Sequence, residues 1–198
     1  MAQRFVVKGS GGRLVLDSQE YLLKERTVVL QGEITPETSQ AIVRQLLVLD
    51  SMSHDRIVIL IDSFGGSVQG GLAIIDTIGI IRSEVVTVCT CSAFSMAAII
   101  FSFGKQRLMF PHSSLMIHQF TVNAVVNGGS KNIAEFSDKL NNLKSMLDEL
   151  LASRTGKTAE EISEAISTDN YMDPEQAISF GIADKVIESI DEIMEVQI

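Results

Sequence analysis

Tryptophan is absent from this 198-residue chain and tyrosine occurs only twice. Any core must therefore be assembled from Ile, Leu, Val, Met and Ala rather than from large rings. Basic runs are missing too: 16 Lys and Arg stand against 25 Asp and Glu, for a net charge of −9. Without clustered cations to neutralise phosphates, a nucleic-acid partner is excluded, and anionic lipid finds no basic surface. No apolar run reaches the length of a bilayer span. The first residues, MAQRFVVKGSGGR, hold no apolar core of signal-peptide length, which points to the cytoplasm. Cysteine is scarce. Cys89 and Cys91 lie two apart, too close for good disulfide geometry and too few for a zinc site. They are expected as buried thiols on one face of a strand, in a reducing compartment.

What is present reads as one α/β domain over residues 1–198. There is no internal repeat. The glycine-rich start is expected as a mobile arm reaching to about residue 20. A short β-rich run covers Thr27 to Leu30. TPETSQAIVRQLLVLDS then reads as a helix, with Thr35 as N-cap, Pro36 in the first turn, and Ile42, Leu46 and Leu49 at helical spacing. RIVILID, Arg56 to Asp62, is almost continuously apolar, as in a strand buried on both faces of a parallel sheet. SFGGSVQGG is a glycine-rich turn opening a helix from Val68 to about Ile81. VVTVC is a second buried strand, Ser95 to Phe103 a second apolar helix, and RLMF and SLMIH are strand-like. Strands alternating with helices imply βαβ units. Asn123 to Lys131 reads as a polar loop or loose strand. Asn132 to about Arg154 is the longest helical pattern, with Ile133, Phe136, Leu140, Leu143, Leu147 and Leu150 on one stripe. That helix either covers the sheet or packs on another subunit. Two short helices follow, capped at Thr158 and Asp173, the second ending at Gly181.

The stretch CTCSAFSMAAIIFSFG places one serine, Ser95, at the mouth of an apolar helix, where a cap, a packing residue and a nucleophile are all open readings. Of only three histidines, His54 lies in a polar loop and His112 at a turn after a proline. His118 ends the apolar strand SLMIH. Functional groups in α/β sheets gather beyond the carboxyl ends of strands. Ser95, His118 and the loop carboxylate Asp169 are together the parts of a serine-nucleophile triad. The glycine pair in SFGGS lets the backbone approach a substrate and aim N–H groups at a developing oxyanion. The lysine of a phosphate-binding loop is missing, which counts against a nucleotide site.

The ordered set SFGGSVQGGLAIIDTI, SAFSMAA, LMIHQ and TDNYMDPEQAISFGIADKV resembles the proteolytic subunit of the Clp protease, the ClpP family. The likeness runs from about Tyr21 to Ile187 and includes LLKER and TGKT. It implies a ClpP/crotonase-like fold of repeated βαβ units with a protruding strand-helix handle at about residues 122–155. It implies Ser95 as nucleophile, His118 as general base, Asp169 as its orienting carboxylate, and the Gly66 and Met96 N–H groups as an oxyanion hole. It also implies a heptameric ring, two rings stacking into a tetradecamer, and an AAA+ unfoldase of the ClpX, ClpA or ClpC type that feeds in unfolded chains. Peptides and unfolded proteins would be the substrates. No cofactor or metal is implied for this chain, since ATP would be used by the unfoldase. Several positions depart from the family pattern: Phe64 stands where proline is usual, Ala97 where glycine is usual, and Phe120 where proline is usual. Thr168 replaces a charged residue, and Val58 and Leu60 stand where many relatives carry tyrosines at the unfoldase-docking pocket. Two other classes compete with the peptidase reading. One is a catalytically silent or partner-activated ClpP paralogue in a mixed barrel. The other is a crotonase-fold enzyme acting on acyl-CoA, which the complete triad and the negative charge disfavour.

Overall fold

The apolar runs IVILI and VVTVC lie side by side in the middle of the sheet. The computed structural model describes residues 4–9, 12–120, 130–189 and 191–194. In its main sheet the strands β3 (Thr27–Ile34), β4 (Ile57–Gly66), β5 (Val85–Phe94), β6 (Gln106–Met109) and β9 (Lys185–Val186) run parallel in that order. A further strand, β7 (Ser114–Ile117), pairs parallel with the far end of β5, and β8 (Asn170–Met172) pairs antiparallel with β7. The chain between the strands forms α2 (Pro36–Met52), α3 (Val68–Ile80) and α4 (Met96–Ser102), then α5 (Ser130–Thr155), α6 (Ala159–Ala165), α7 (Pro174–Phe180) and the single turn α8 (Asp191–Met194). The mixed α/β architecture with a mostly parallel central sheet is the one the sequence implies.

Local chemistry sets the helix ends. Thr35 caps α2 through a reciprocal box with Thr38, with Pro36 in the first turn. Thr158 and Asp173 cap α6 and α7 in the same manner, and Gly181 closes α7 in the left-handed conformation. Ile57, Ile59 and Ile61 on β4 point to the face that α2, α3 and α4 cover, and Leu46, Ile74, Ile100 and Phe101 meet them there. The opposite face carries a smaller apolar cluster of Val58, Val86, Val88, Leu108 and Ile187. On that face α8 contributes a buried side chain, Ile193.

Four expectations change. The glycine-rich start is a hairpin: β1 (Arg4–Gly9) pairs antiparallel with β2 (Gly12–Asp17), and α1 (Ser18–Lys24) follows, capped by an Asp17–Glu20 box. The buried strands run past their sequence-predicted ends, β4 as far as Gly66 and β5 as far as Phe94. Their pairing jumps from Ile61↔Cys89 to Ser63↔Ala93, so two steps along β4 match four along β5. This bulge also breaks the side-chain alternation of β5. As a result Cys89 is buried while Cys91 is exposed, not buried as expected. Helix α5 is only half engaged. No residue from Lys131 to Asn142 is buried, whereas Leu147 and Leu151 are core residues, so the stripe predicted from Ile133 onward meets the core only at its end. The strand portion of the expected handle, and most of the loop expected from Asn123 to Lys131, lie outside the described residues. No helix among the described residues is long and apolar enough to cross a membrane.

Candidate active site

Ser95 follows the last residue of β5 and precedes α4. Its backbone has φ 55° and ψ −125°, a conformation that residues with a β-carbon rarely adopt. The strand-to-helix reversal is held on both sides: the Ser95 N–H donates to Met116 O at 2.8 Å, and the Ser95 carbonyl accepts from Ala98 N–H at 3.0 Å. The hydroxyl does not cap the helix. It lies 2.8 Å from Nε2 of His118 instead.

The glycine pair packs directly against this reversal. A β-carbon on Gly65 would come within 2.8 Å of Phe94 O and 2.9 Å of Ser95 Cβ. One on Gly66, whose φ is 145°, would come within 2.5 Å of Ile34 O. Both positions therefore require glycine. Gly65 N–H is already engaged by Ser63 Oγ at 3.1 Å. Ser67 N–H donates to Ile34 O on the β3 side. Met96 is the first residue of α4, where amides have no acceptor within the helix and the helix dipole favours negative charge.

Sheet register brings the imidazole and the carboxylate together. In the antiparallel pair of β7 and β8, Leu115 faces Met172, Met116 faces Tyr171, and Ile117 faces Asn170. One step further along, His118 faces Asp169. The His118 Nδ1 to Asp169 Oδ1 distance is 3.9 Å, longer than a hydrogen bond, and the Asp169 side chain is 62% exposed. The residue beside each group is tied to the end of α6: Gln119 N–H donates to Ile166 O at 2.8 Å, and the Asn170 side-chain Nδ2 donates to Ala165 O at 3.2 Å.

Ser95, His118, Asp169, Gly66 and Met96 thus sit at one end of the sheet, the Ser–His half in hydrogen-bond contact and the His–Asp half about 1 Å too long. The other histidines lie apart. His54 is an exposed side chain beside Asp50 and Arg82, and His112 is exposed at a turn. Ser92 and Ser102 are buried. Sequence reasoning missed a row of rings along the site: Phe64 and Phe94 have centroids 5.4 Å apart, and Phe94 and Tyr171 meet edge to face at 5.6 Å. Phe94 directly precedes Ser95 in sequence and Phe64 directly precedes the glycine pair, which was the available signal. Among the described residues no group of three or more His, Cys, Asp or Glu is placed to hold a metal ion.

With this geometry in hand, the comparisons with known proteins are specific. Residues 10–190 match the Clp protease family. The ATP-dependent Clp protease proteolytic subunit of Carsonella ruddii (strain PV) is 37% identical over 182 residues, covering 91% of this chain and 93% of that protein. The chain belongs to the Clp protease family, a family of peptidases.

Proposed function

Starting from membership in the Clp protease family, we propose that the chain is a serine endopeptidase subunit in which Ser95, His118 and Asp169 carry the chemistry. The observation that supports this reading best is the 2.8 Å contact between an uncapped, conformationally strained serine hydroxyl and an imidazole nitrogen. Ser95 Oγ attacks the scissile carbonyl as His118 Nε2 takes its proton. The carbonyl oxygen becomes an oxyanion held by the Gly66 and Met96 N–H groups. His118 returns the proton to the departing amine, leaving an acyl-enzyme on Ser95. Water, deprotonated by the same imidazole, then releases the acid. Asp169 selects the Nδ1–H tautomer and stabilises the imidazolium. Neither a metal nor a cofactor takes part in this scheme. ATP is consumed by a partner AAA+ unfoldase of the ClpX, ClpA or ClpC type, which supplies unfolded chains to a ring or double ring of these subunits in the cytoplasm.

The second reading, a silent or partner-activated paralogue, draws on the 3.9 Å His118–Asp169 separation and the exposure of Asp169. Turnover of a short fluorogenic peptide with an apolar residue before the leaving group separates the two readings. Native protein and Ser95→Ala are compared at equal concentration and matched oligomer size. Turnover that disappears in the variant supports the peptidase. Absence of turnover in both, with both assembled, supports the second reading, and adding a ClpP paralogue then tests activation.

A further inference from the structure

Asp148 is the one charged side chain among the described residues that is fully buried, at 4% exposure. It lies in the packed half of α5, between the core residues Leu147 and Leu151. Its Oδ2 accepts from Lys144 Nζ at 2.5 Å, and the same Nζ donates to Ser163 Oγ of α6 at 2.6 Å. Among the described residues nothing donates to Asp148 Oδ1, although that oxygen is buried. An ion pair whose carboxylate is buried with one oxygen unsatisfied, and whose lysine is only partly buried, is a poor source of stability: apolar residues of similar volume usually serve as well or better. The position of the pair supplies another role. Three residues beyond Ser163 is Ile166, whose carbonyl holds the N–H next to His118. The carbonyl before it, on Ala165, holds the side chain next to Asp169.

The geometry points to Lys144 and Asp148 as positioning residues for the proposed triad: through Ser163 they fix α6 against α5, and the end of α6 sets how closely Asp169 approaches His118. This rests on the peptidase reading above, in which the 3.9 Å gap is the distance that has to close. Neither residue touches substrate. An α6 displaced by about 1 Å would hold the imidazole in the wrong tautomer, and misplacement on that scale costs on the order of 100-fold in rate.

A double substitution, Lys144→Met with Asp148→Leu, tests this. It removes both charges together, so no buried charge is left unpaired and the fold is kept. Ser163→Ala cuts the same link from the α6 side, and Lys144→Arg conserves it. Three readouts are taken: melting temperature, kcat and KM on the fluorogenic peptide, and the imidazole ¹⁵N shifts. The spectra are tractable because the chain has only three histidines. Expected are an unchanged or raised melting temperature and a kcat lowered about 10- to 100-fold at nearly constant KM. His118 shifts should move toward those of Asp169→Asn, and Lys144→Arg should stay close to native. In an Asp169→Asn background the double substitution should cost almost nothing more, because both act through the same contact. The inference is overturned if the double variant and Ser163→Ala keep native kcat and native His118 shifts. It is equally overturned if the loss adds in full to that of Asp169→Asn. A native protein without Ser95-dependent turnover would sink the peptidase reading instead, and the His118 spectra would then decide this one by themselves.

Discussion

A serine held at φ 55° is costly, on the order of 1–3 kcal/mol for a residue with a β-carbon. Ser95→Gly should therefore be more stable than Ser95→Ala by about 1 kcal/mol, measured by urea unfolding, although both lack the hydroxyl. Equal stability would mean that the reversal is unstrained. Gly65→Ala carries the opposite sign. Its β-carbon would push on Phe94 O and on Ser95 itself, so peptide turnover should fall at least about tenfold while the protein still assembles. Both effects concern a site whose parts were unevenly legible. Ser95 could be singled out because a lone hydroxyl at a strand-to-helix junction is conspicuous among Ala, Ile and Phe. His118 and Asp169 stood out as an imidazole at a strand end and a loop carboxylate, but their roles were assigned only by resemblance. Their meeting depends on an antiparallel register between segments some fifty residues apart, which no local pattern encodes. The ring row of Phe64, Phe94 and Tyr171 depends on the same lateral registers, and only the place of Phe64 and Phe94 just before Gly65 and Ser95 hinted at it.

At the level of elements, caps and apolar runs were readable while strand ends were not. Thr35, Thr158 and Asp173 act as expected because a capping box is a purely local arrangement. Asp173→Ala should cost about 1 kcal/mol, read from the denaturant midpoint, and leave the Ser95 region untouched. The ends of β4 and β5 escaped because glycines and small polar residues there suggest a turn, whereas neighbouring strands supply the ladder that keeps them extended. The bulge that results separates the two thiols. Burial pushes the Cys89 thiol up from 9.0 to about 12. Alkylation at pH 8 should therefore leave Cys89 unmodified in the native protein and modify it fully in denaturant, as scored by peptide mass. The sign of the pH effect follows. The unfolded thiol ionises near 9 and the folded one near 12, so Cys89 favours the fold up to about pH 9 and this contribution declines as pH rises further. Rapid native alkylation of Cys89 would contradict its place in the core.

Across the whole molecule, long-range polar ties join segments that the apolar pattern alone would leave independent. Arg107 at the start of β6 donates to Arg154 O and Gly181 O, and its guanidinium grips Asp184. Arg154 in turn donates to Ser102 O and Gly104 O. The ends of α4, α5 and α7 are thereby gathered at one point. Burial pushes the Asp184 carboxyl up, but the hydrogen bonds and charge of Arg107 outweigh it and hold the group below its ordinary range. A depressed carboxylate stabilises the fold above its unfolded value and loses that contribution as pH falls through the folded one. Asp184→Asn should thus lower the melting temperature at pH 7, with the gap to the native protein closing below about pH 4. A gap independent of pH would assign the effect to packing. None of these ties was foreseen from sequence, since each joins residues far apart in the chain. The parallel sheet of βαβ units was foreseen, because buried parallel strands announce themselves by continuous hydrophobicity, whereas the order of the strands was not.

The most direct test of the proposed chemistry is covalent labelling. A fluorophosphonate probe is incubated with the native protein, with Ser95→Ala and with His118→Ala, and the site is read by peptide mass. One label per chain, on Ser95, lost in both variants, is the predicted result. No label on the assembled native protein, or a label on another serine, would contradict Ser95 as the nucleophile.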